Sequence, residues 1–537
     1  MIESPGRARE TIGSGLPRTI ARVFLKPREY PAAFGSRDLG DRGRLAALRR
    51  GKSRASVRVT IVWGKYCARA EQNTAMVGLP RIGRGCSLES AGRGSIALIA
   101  LAAFVERYRK LLLLLTAAWV GSGVIIYLWV PLTTPVMLLL SPVAPVAWYL
   151  ATRLRLPPHR PSAVTLALVL AGVYLSLNAS WSLSPATAHL AMAMFYVSTV
   201  ALYFLANTLP VSDDDVLRAM AIGLYAGLVI GGAALCFETF SSQLMRRIMM
   251  SFVPALRPKP VDMLLDGGWV TFVEPFLINR NITAMTSLFW PTALAVFLLA
   301  PTTRRQHWWL IGLVPIVAGI LGSKHATSKI AFAGAAIVFA TFQFAPTVAR
   351  RMVAWAWTGT IILVVPLAII AYQNRLYLST WIPPSAQHRI AIWGYTSNQI
   401  AKAPIMGAGI DTSRTRNGPQ GYDAPLAPGS DFPLRIPLHS HNDYLQIWYE
   451  TGAVGALMLL AIGLLVLSSL ARSSVQVQPY LYASFATSAL LGGTSFSLWQ
   501  PWFMASFGLT AVFAMLGWAM ADRSSAQGRT ASDRFTL

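Results

Sequence analysis

The feature that most constrains this chain is a series of apolar blocks, each near twenty residues long, between about residues 111 and 521. An α-helix rises 1.5 Å per residue, so about twenty residues cross the roughly 30 Å hydrocarbon core of a bilayer. Charged residues make up only 13% of the 537 residues, whereas about 25% is usual for a soluble domain. The blocks therefore predict an all-α polytopic membrane protein and exclude a soluble domain.

We predict about twelve transmembrane helices, with a large loop between helices nine and ten. Their ranges are 111–130, 132–150, 162–180, 186–209, 216–238, 282–300, 308–322, 328–345, 351–372, 442–470, 479–498 and 502–521. Arginines concentrate in alternate connections, among them Arg153, Arg160, Arg304, Arg305, Arg350, Arg351 and Arg472. With the N-terminus inside, these connections are cytoplasmic, as the positive-inside rule requires. Two long polar segments, 239–281 and 373–441, then lie outside.

The net charge of +25 reflects topology and anionic lipid rather than nucleic acid. Residues 1–95 hold 19 Lys and Arg against 7 Asp and Glu, which is +12 of the total. Basic residues in short loops set membrane orientation, and a basic tail is attracted to anionic lipid. We expect 1–95 to be a disordered basic extension, or the product of a start codon placed upstream of one near Met76. The membrane domain is predicted over 96–521, followed by a cytoplasmic tail, 522–537.

Two histidines, His439 and His441, come directly before the tenth predicted helix, in the string HSHNDYLQIWYETGAVG. Imidazole is the side chain whose unperturbed pKa suits proton transfer near neutrality. The alternatives are a pair that caps the helix start and a zinc site. No neighbouring Cys or Glu completes a zinc ligand set, and the three cysteines of the chain form no CxxC pattern. We expect no metal and no cofactor.

Basic residues accumulate on the predicted outer face, where they suggest an anionic ligand. The loop 373–441 is net +3. Arg280 precedes the sixth helix between Asn279 and Asn281, and Lys329 opens the eighth after Ser328. Guanidinium and ammonium groups bind phosphate well. Capping is the default role of the two asparagines, and a solvated loop is the alternative for residues 323–329.

A second string in the large loop, 389–409, predicts a short amphipathic helix that ends at Pro404. It begins with Arg389, and Trp393 fits an interface anchor. Gly407 and Gly409 follow in a tight turn. Gly-Ala-Gly is weak evidence for phosphate binding, because no strand precedes it as a dinucleotide fold requires.

These strings resemble the bacterial O-antigen ligase and polymerase superfamily, most strongly over about 270–470. The matching positions are Asn279, Asn281, Arg389, Trp393, Pro404, Gly407, Gly409, His441, Asn442, Glu450 and Gly452. The helix count and the large loop agree over 111–521. One position departs from the family pattern: Lys329 stands where the family often has arginine, so the charge is kept but the bidentate fork is lost.

The resemblance implies a metal-independent glycosyltransferase in the bacterial inner membrane with its active site facing the periplasm. Its donor would be a glycan on undecaprenyl pyrophosphate, and its acceptor a hydroxyl of lipid A core or of another lipid-linked glycan. Arg389, with Arg280 and Lys329, would neutralise the pyrophosphate. His441 would act as general base, with His439 orienting or replacing it, and Asn279, Asn281, Asn442, Gly407 and Gly409 would contribute to substrate binding.

Ligase and polymerase remain open at this point, because they differ in an acceptor that the sequence does not identify. A transporter of lipid-linked sugar is an alternative from another class. Transporters tend to show internal repeats and charged residues at mid-membrane depth. This sequence shows no repeat, and its polar candidates cluster at one face, which favours the enzyme.

Overall fold

The computed structural model describes residues 104–535 except 154–159, 301, 418–424 and 495. The predicted extension 1–95 lies outside these residues, so that prediction is untested. In chain order the first helices are α1 Arg109–Trp129, α2 Thr134–Leu140, α3 Val143–Arg153, α4 Ala163–Ala179, α5 Pro185–Thr208, α6 Asp214–Phe240 and α7 Leu244–Phe252. A two-stranded antiparallel hairpin follows, β1 Met263–Asp266 and β2 Trp269–Val273.

The remaining helices complete the bundle and hold the residues singled out from the sequence. They are α8 Asn279–Leu299, α9 Thr303–Ile311, α10 Val314–Gly322, α11 Ala326–Phe344, α12 Pro346–Gln373, α13 Pro384–Ile400, α14 Asp443–Leu470, α15 Gln478–Thr494 and α16 Pro501–Phe535.

In the part of the chain that the structure describes, nine helical segments are long and apolar enough to cross a membrane. They are α1, α2 with α3, α5, α6, α8, α11, α12, α14 and the first part of α16 up to Arg523. The helix α4 is apolar but shorter, at 17 residues. The protein is therefore a multi-pass membrane protein, as the apolar blocks predicted.

Two of the predicted helices are broken in the structure, and proline explains both breaks. The segment 132–150 divides into α2 and α3 near Pro142, and 308–322 divides into α9 and α10 just before Pro315. A proline has no amide hydrogen to donate, and its ring clashes with the preceding turn. The predicted end at residue 521 also differs, because α16 continues to Phe535.

The helix α8 lies at the centre of the bundle. Its side chains are buried without interruption from Asn281 to Val296, and it packs against α6, α15 and α16. The helix α6 approaches α1 closely: a Cβ on Gly223 would lie 2.3 Å from the carbonyl oxygen of Ala117. Small residues allow such close backbone contact between membrane helices.

The described parts of the two long segments predicted outside the membrane contain regular secondary structure. The segment 239–281 contains α7 and the hairpin, with large apolar side chains exposed, so its description as polar was wrong. The segment 373–441 contains α13, which begins at Pro384 and ends at Ile400, four residues before Pro404. Proline at the first position of a helix loses nothing, since that amide has no partner in the helix.

Candidate functional site

Side chains from α8, α11, α13 and the segments before α14 and α16 meet at one end of the bundle. At this end Arg280, in the first turn of α8, contacts two aromatic rings. Its guanidinium carbon lies 6.0 Å from the ring centre of Phe496 and 5.7 Å from that of Trp502. A cation over an aromatic face is attracted by the ring quadrupole. Arg280 is thus held by stacking, which leaves its hydrogen-bond donors available.

His325 joins this cluster from the start of α11, although the sequence had not marked it as a site residue. Its ring lies 6.3 Å from that of Phe496, and its Nδ1 forms a 2.8 Å hydrogen bond with the hydroxyl of Ser328. Burial and the charge of Arg389 lower the pKa of His325 to about 4. The imidazole is therefore neutral at physiological pH.

Lys329 lies in the first turn of α11, one residue after Ser328, as predicted. Its side chain is half-buried. The dipole of α11 places partial positive charge at this end of the helix, which adds to the positive charge of the lysine.

Arg389 lies on α13 and brings the large loop into the cluster. Burial lowers the pKa of His325, His388 and His439, and the charge of Arg389 lowers the pKa of each further. Burial also lowers the pKa of Arg389 itself. Trp393, one turn further along α13, donates a 3.0 Å hydrogen bond from Nε1 to the carbonyl of Ser440. This bond holds α13 against the histidine segment.

The rings of His439 and His441 lie 4.1 Å apart, and the backbone between them is fixed by the histidines themselves. The backbone N–H of His441 donates to Nδ1 of His439 at 3.2 Å. His441 has φ of 55°, in the left-handed region that non-glycine residues rarely adopt. Burial, with the charges of His441, Arg414 and Arg389, lowers the pKa of His439 to about 3. His439 is thus a neutral acceptor that holds the strained backbone of His441.

Three asparagines were predicted to bind substrate: Asn279, Asn281 and Asn442. Of these, only Asn442 caps a helix. Asn442 is the N-cap of α14, where its Oδ1 accepts from the backbone N–H of Leu445 at 3.0 Å. Asn281 is buried and donates to the carbonyls of Leu128 and Trp129 at the end of α1.

Asn279 is the first residue of α8, and the N-cap position belongs to Ile278, which makes no side-chain cap. The default capping role expected of Asn279 and Asn281 was therefore wrong. The reason is a 3₁₀ turn, Pro275–Ile278, that leads directly into α8. The helix therefore begins three residues before the predicted start at 282, and Arg280 lies inside its first turn rather than before it.

The helix α14 is interrupted at Gly452, which has φ of 63°. The loop 404–409 replaces the helical hydrogen bonds lost there. The amides of Ala453 and Val454 donate to the carbonyls of Pro404 and Ile405, at 2.8 and 3.2 Å. An insertion into the backbone ladder is one of the usual causes of a helix kink.

Gly407 and Gly409 belong to this insertion. Their amides donate to the carbonyls of Ala403 and Glu450, at 3.0 and 2.9 Å. A Cβ on Gly407 would lie 2.4 Å from the carbonyl carbon of Glu450. Both amides are occupied within the chain, so these glycines have a packing role and no amide to offer a phosphate.

Glu450, a position that matches the family pattern but was not predicted as a site residue, has a fully buried side chain on α14. It accepts from the amide and hydroxyl of Ser413, from Trp499 Nε1, and from Gln446 Nε2 at 3.1 Å. The two loops that flank the site are thereby tied to α14. Ser413 and Trp499 lie 37 and 49 residues from Glu450 in the sequence, and no local motif predicts that contact.

Three of the basic side chains predicted as site residues have no carboxylate partner among the described residues. Arg414 pairs with Asp411 at 2.9 Å, but among the described residues Arg280, Lys329 and Arg389 form no salt bridge. In the same residues, no group of three His, Cys, Asp or Glu side chains could hold a metal ion. Uncompensated positive charge beside histidines is suited to an anionic ligand and to proton transfer.

The chain is similar in sequence to known proteins. Residues 310–460 match the O-antigen ligase family. This match confirms the resemblance predicted from the sequence. The matched segment contains Lys329, Arg389, both glycines and the segment 439–442, whereas Arg280 lies before it.

Several rickettsial proteins named "Putative polysaccharide ligase" are similar to this chain. The protein of Rickettsia conorii is 24% identical over 235 residues, which cover 43% of this chain and 55% of the relative. Those of Rickettsia felis and Rickettsia bellii are 24% and 29% identical, over 43% and 34% of this chain and 56% and 45% of the relatives. The matches thus span about half the length of these relatives.

Proposed function

We propose that the protein is a membrane glycosyltransferase of the O-antigen ligase type, which moves a glycan from undecaprenyl pyrophosphate to an acceptor hydroxyl. The observation that carries the proposal is the meeting of Arg280, Arg389 and two adjacent histidines at one end of the bundle, where neither arginine has a salt bridge to any described residue. The O-antigen ligase match over 310–460 supports the same reaction class.

The pyrophosphate of the donor is bound by Arg280, Arg389 and Lys329 in this proposal. As the sugar departs, negative charge grows on the pyrophosphate, and cations already in position stabilise it without reorganisation. The two arginines can bind bidentately, whereas Lys329 contributes a point charge. The undecaprenyl chain lies among the apolar helix surfaces.

His441 is the general base. It takes the proton of the acceptor hydroxyl while that oxygen bonds to the anomeric carbon, and the bond from this carbon to the pyrophosphate oxygen breaks with its electron pair. Direct displacement inverts the anomeric configuration. His439 positions His441 through the hydrogen bond between its Nδ1 and the His441 amide. No metal or nucleotide takes part.

The proposal includes a membrane topology of about twelve crossings. Adding α4, the broken pair α9–α10 and α15 to the nine long segments gives about twelve crossings. The large loop then lies between the ninth and tenth, within a membrane domain of 96–521. In the bacterial inner membrane, with arginine-rich connections inside, the site faces the periplasm. The acceptor is lipid A core or another glycan.

The test is a glycan blot of lipopolysaccharide and exopolysaccharide from a deletion strain complemented with variants. His441→Ala should lower transfer by about 10²–10⁴-fold, the usual contribution of a general base. Arg389→Ala should also abolish transfer, and Arg389→Lys should retain part of it. Two exposed residues serve as matched controls, His307→Ala and Lys402→Ala, which should complement fully.

The accumulated product identifies the acceptor. Long glycan retained on undecaprenyl pyrophosphate, with core lipid left bare, supports the ligase. Single repeat units alone would instead mean a polymerase. Full complementation by both His441→Ala and Arg389→Ala would refute the catalytic assignment and reopen the transporter interpretation.

A further inference from the structure

The helix α7 exposes its apolar face, the reverse of what a helix on a soluble surface does. Leu244, Met245, Ile248, Met249 and Phe252 are all exposed, with Phe252 at 70%. At 100° per residue these five positions fall within an arc of roughly 140°. One continuous side of α7 is therefore apolar and uncovered.

The basic side of α7 faces the protein. Arg246 donates to the carbonyl of Leu277 at 2.9 Å and to Oδ1 of Asn281 at 3.1 Å, and Arg247 donates to the carbonyl of Thr271. In water, the favourable orientation would bury the apolar side and expose the arginines. The observed orientation is favourable only where the surroundings of α7 are apolar.

The hairpin extends this apolar surface. The ring of Phe252 lies 5.4 Å from that of Trp269 in an edge-to-face contact. Leu264 and Phe272 are cross-strand partners and both exposed, at 62% and 40%. Exposed apolar patches that are this continuous mark interaction surfaces.

The segment is tethered at both ends to membrane spans. Three residues separate α7 from α6, and one separates the hairpin from the span Pro275–Leu299. The carboxylate of Glu238, on α6, accepts from the amides of Met245 and Arg246 at 2.7 and 3.1 Å, which fixes the start of α7. The apolar surface thus lies beside the lipid-facing surface of the bundle.

We propose that α7 and the hairpin form an interfacial anchor whose apolar side is inserted into the bilayer leaflet at the site end of the bundle. The occupant is the acyl-chain region of that leaflet, which is continuous with the lipid along the exposed side of α6. Because Arg246 binds Asn281, the neighbour of Arg280, the anchor also sets the depth of Arg280 relative to the headgroups. This inference is independent of the proposed reaction.

The experiment uses the full chain, with its three cysteines replaced by alanine, in vesicles of phosphatidylethanolamine and phosphatidylglycerol. An environment-sensitive fluorophore is attached at Met249→Cys on α7 and, separately, at Leu264→Cys on the hairpin. Nitroxide-labelled lipids and aqueous iodide serve as quenchers. Asp431→Cys, on an exposed loop, is the control.

Both labels should emit at shorter wavelength than the control and resist iodide. Lipid nitroxides should place them roughly 5–10 Å below the headgroup boundary. Iodide quenching equal to that of Asp431→Cys would overturn the proposal. Shielding from both quenchers would also overturn it, because a second copy of the chain would then cover the surface.

Discussion

Replacing Gly407 by alanine separates packing from ligand binding at the loop that enters α14. Gly407 has φ of 73°, and an added Cβ would lie 2.4 Å from three backbone atoms of Glu450 and Thr451. Backbone atoms of a buried helix cannot move aside as a flexible side chain can. The substitution therefore combines a disfavoured backbone conformation with overpacking.

The expected loss of stability in Gly407→Ala is the sum of these two contributions. A left-handed conformation costs a non-glycine residue about 1–2 kcal/mol, and overpacking a filled site costs about 1–3 kcal/mol. Gly407→Ala should thus destabilise the protein by roughly 2–5 kcal/mol. Gly429 is the matched control: its φ is 78°, but its nearest contact would be Leu378 at 3.5 Å. Gly429→Ala should show only the conformational cost.

The assay is thermal unfolding of purified protein in detergent, followed by loss of the monodisperse peak in size-exclusion chromatography. Gly407→Ala should unfold at a clearly lower temperature than Gly429→Ala, whose unfolding temperature should fall only by the smaller conformational cost. Equal unfolding temperatures, combined with loss of transfer only in Gly407→Ala, would refute the packing explanation. The substrate-binding role that the family resemblance implies for Gly407 would then be restored.

Three further outcomes are expected. His439→Asn should retain more transfer activity than His439→Ala, because an amide oxygen can replace Nδ1 as acceptor of the His441 amide; equal loss in the two variants, measured by glycan blot, would exclude that role. Asn442→Ala should lower the unfolding temperature by removing a helix cap worth about 1 kcal/mol, whereas Asn442→Ser should preserve both stability and transfer. The free energy of unfolding should fall as pH drops from about 6.5 toward 4, by about 1.4 kcal/mol per pH unit for each of His325 and His439. The reason is that both histidines have a lowered pKa in the folded chain, so in this range they are protonated only when the chain is unfolded. Chemical denaturation at several pH values checks this slope, and His325→Phe should reduce it.

That the protein is a helical membrane protein could be predicted from the sequence, because the bilayer restricts which segments can cross it. A helix that crosses hydrocarbon must satisfy its backbone internally and present apolar side chains over about twenty residues, so each block carries its own signal. The bounds of α1 and α14 accordingly lie within two residues of their predicted ranges. A short helix before Pro404 was also predictable, but α13 begins at Pro384, five residues before the predicted string, and ends at Ile400.

The candidate site was predicted in its charged and imidazole groups but not in its supporting residues. Arg280, Arg389 and His441 stand out because each lies at a predicted helix entrance or in the large loop, on the face where basic residues are normally avoided. His325, Ser413 and Trp499 carry no such signal, since each becomes part of the site only through a contact distant in sequence.

The sequence by itself determined that this is a helical membrane protein and which residues could carry chemistry, because hydropathy and residue type are local properties. Only the tertiary structure decided which of those residues meet, that Gly407 and Gly409 pack into α14, that Asn442 is a cap, and that α7 faces outward. Each of these depends on which surface a helix presents to its neighbours. That choice is made by the packing of the whole bundle and is not encoded within any one segment.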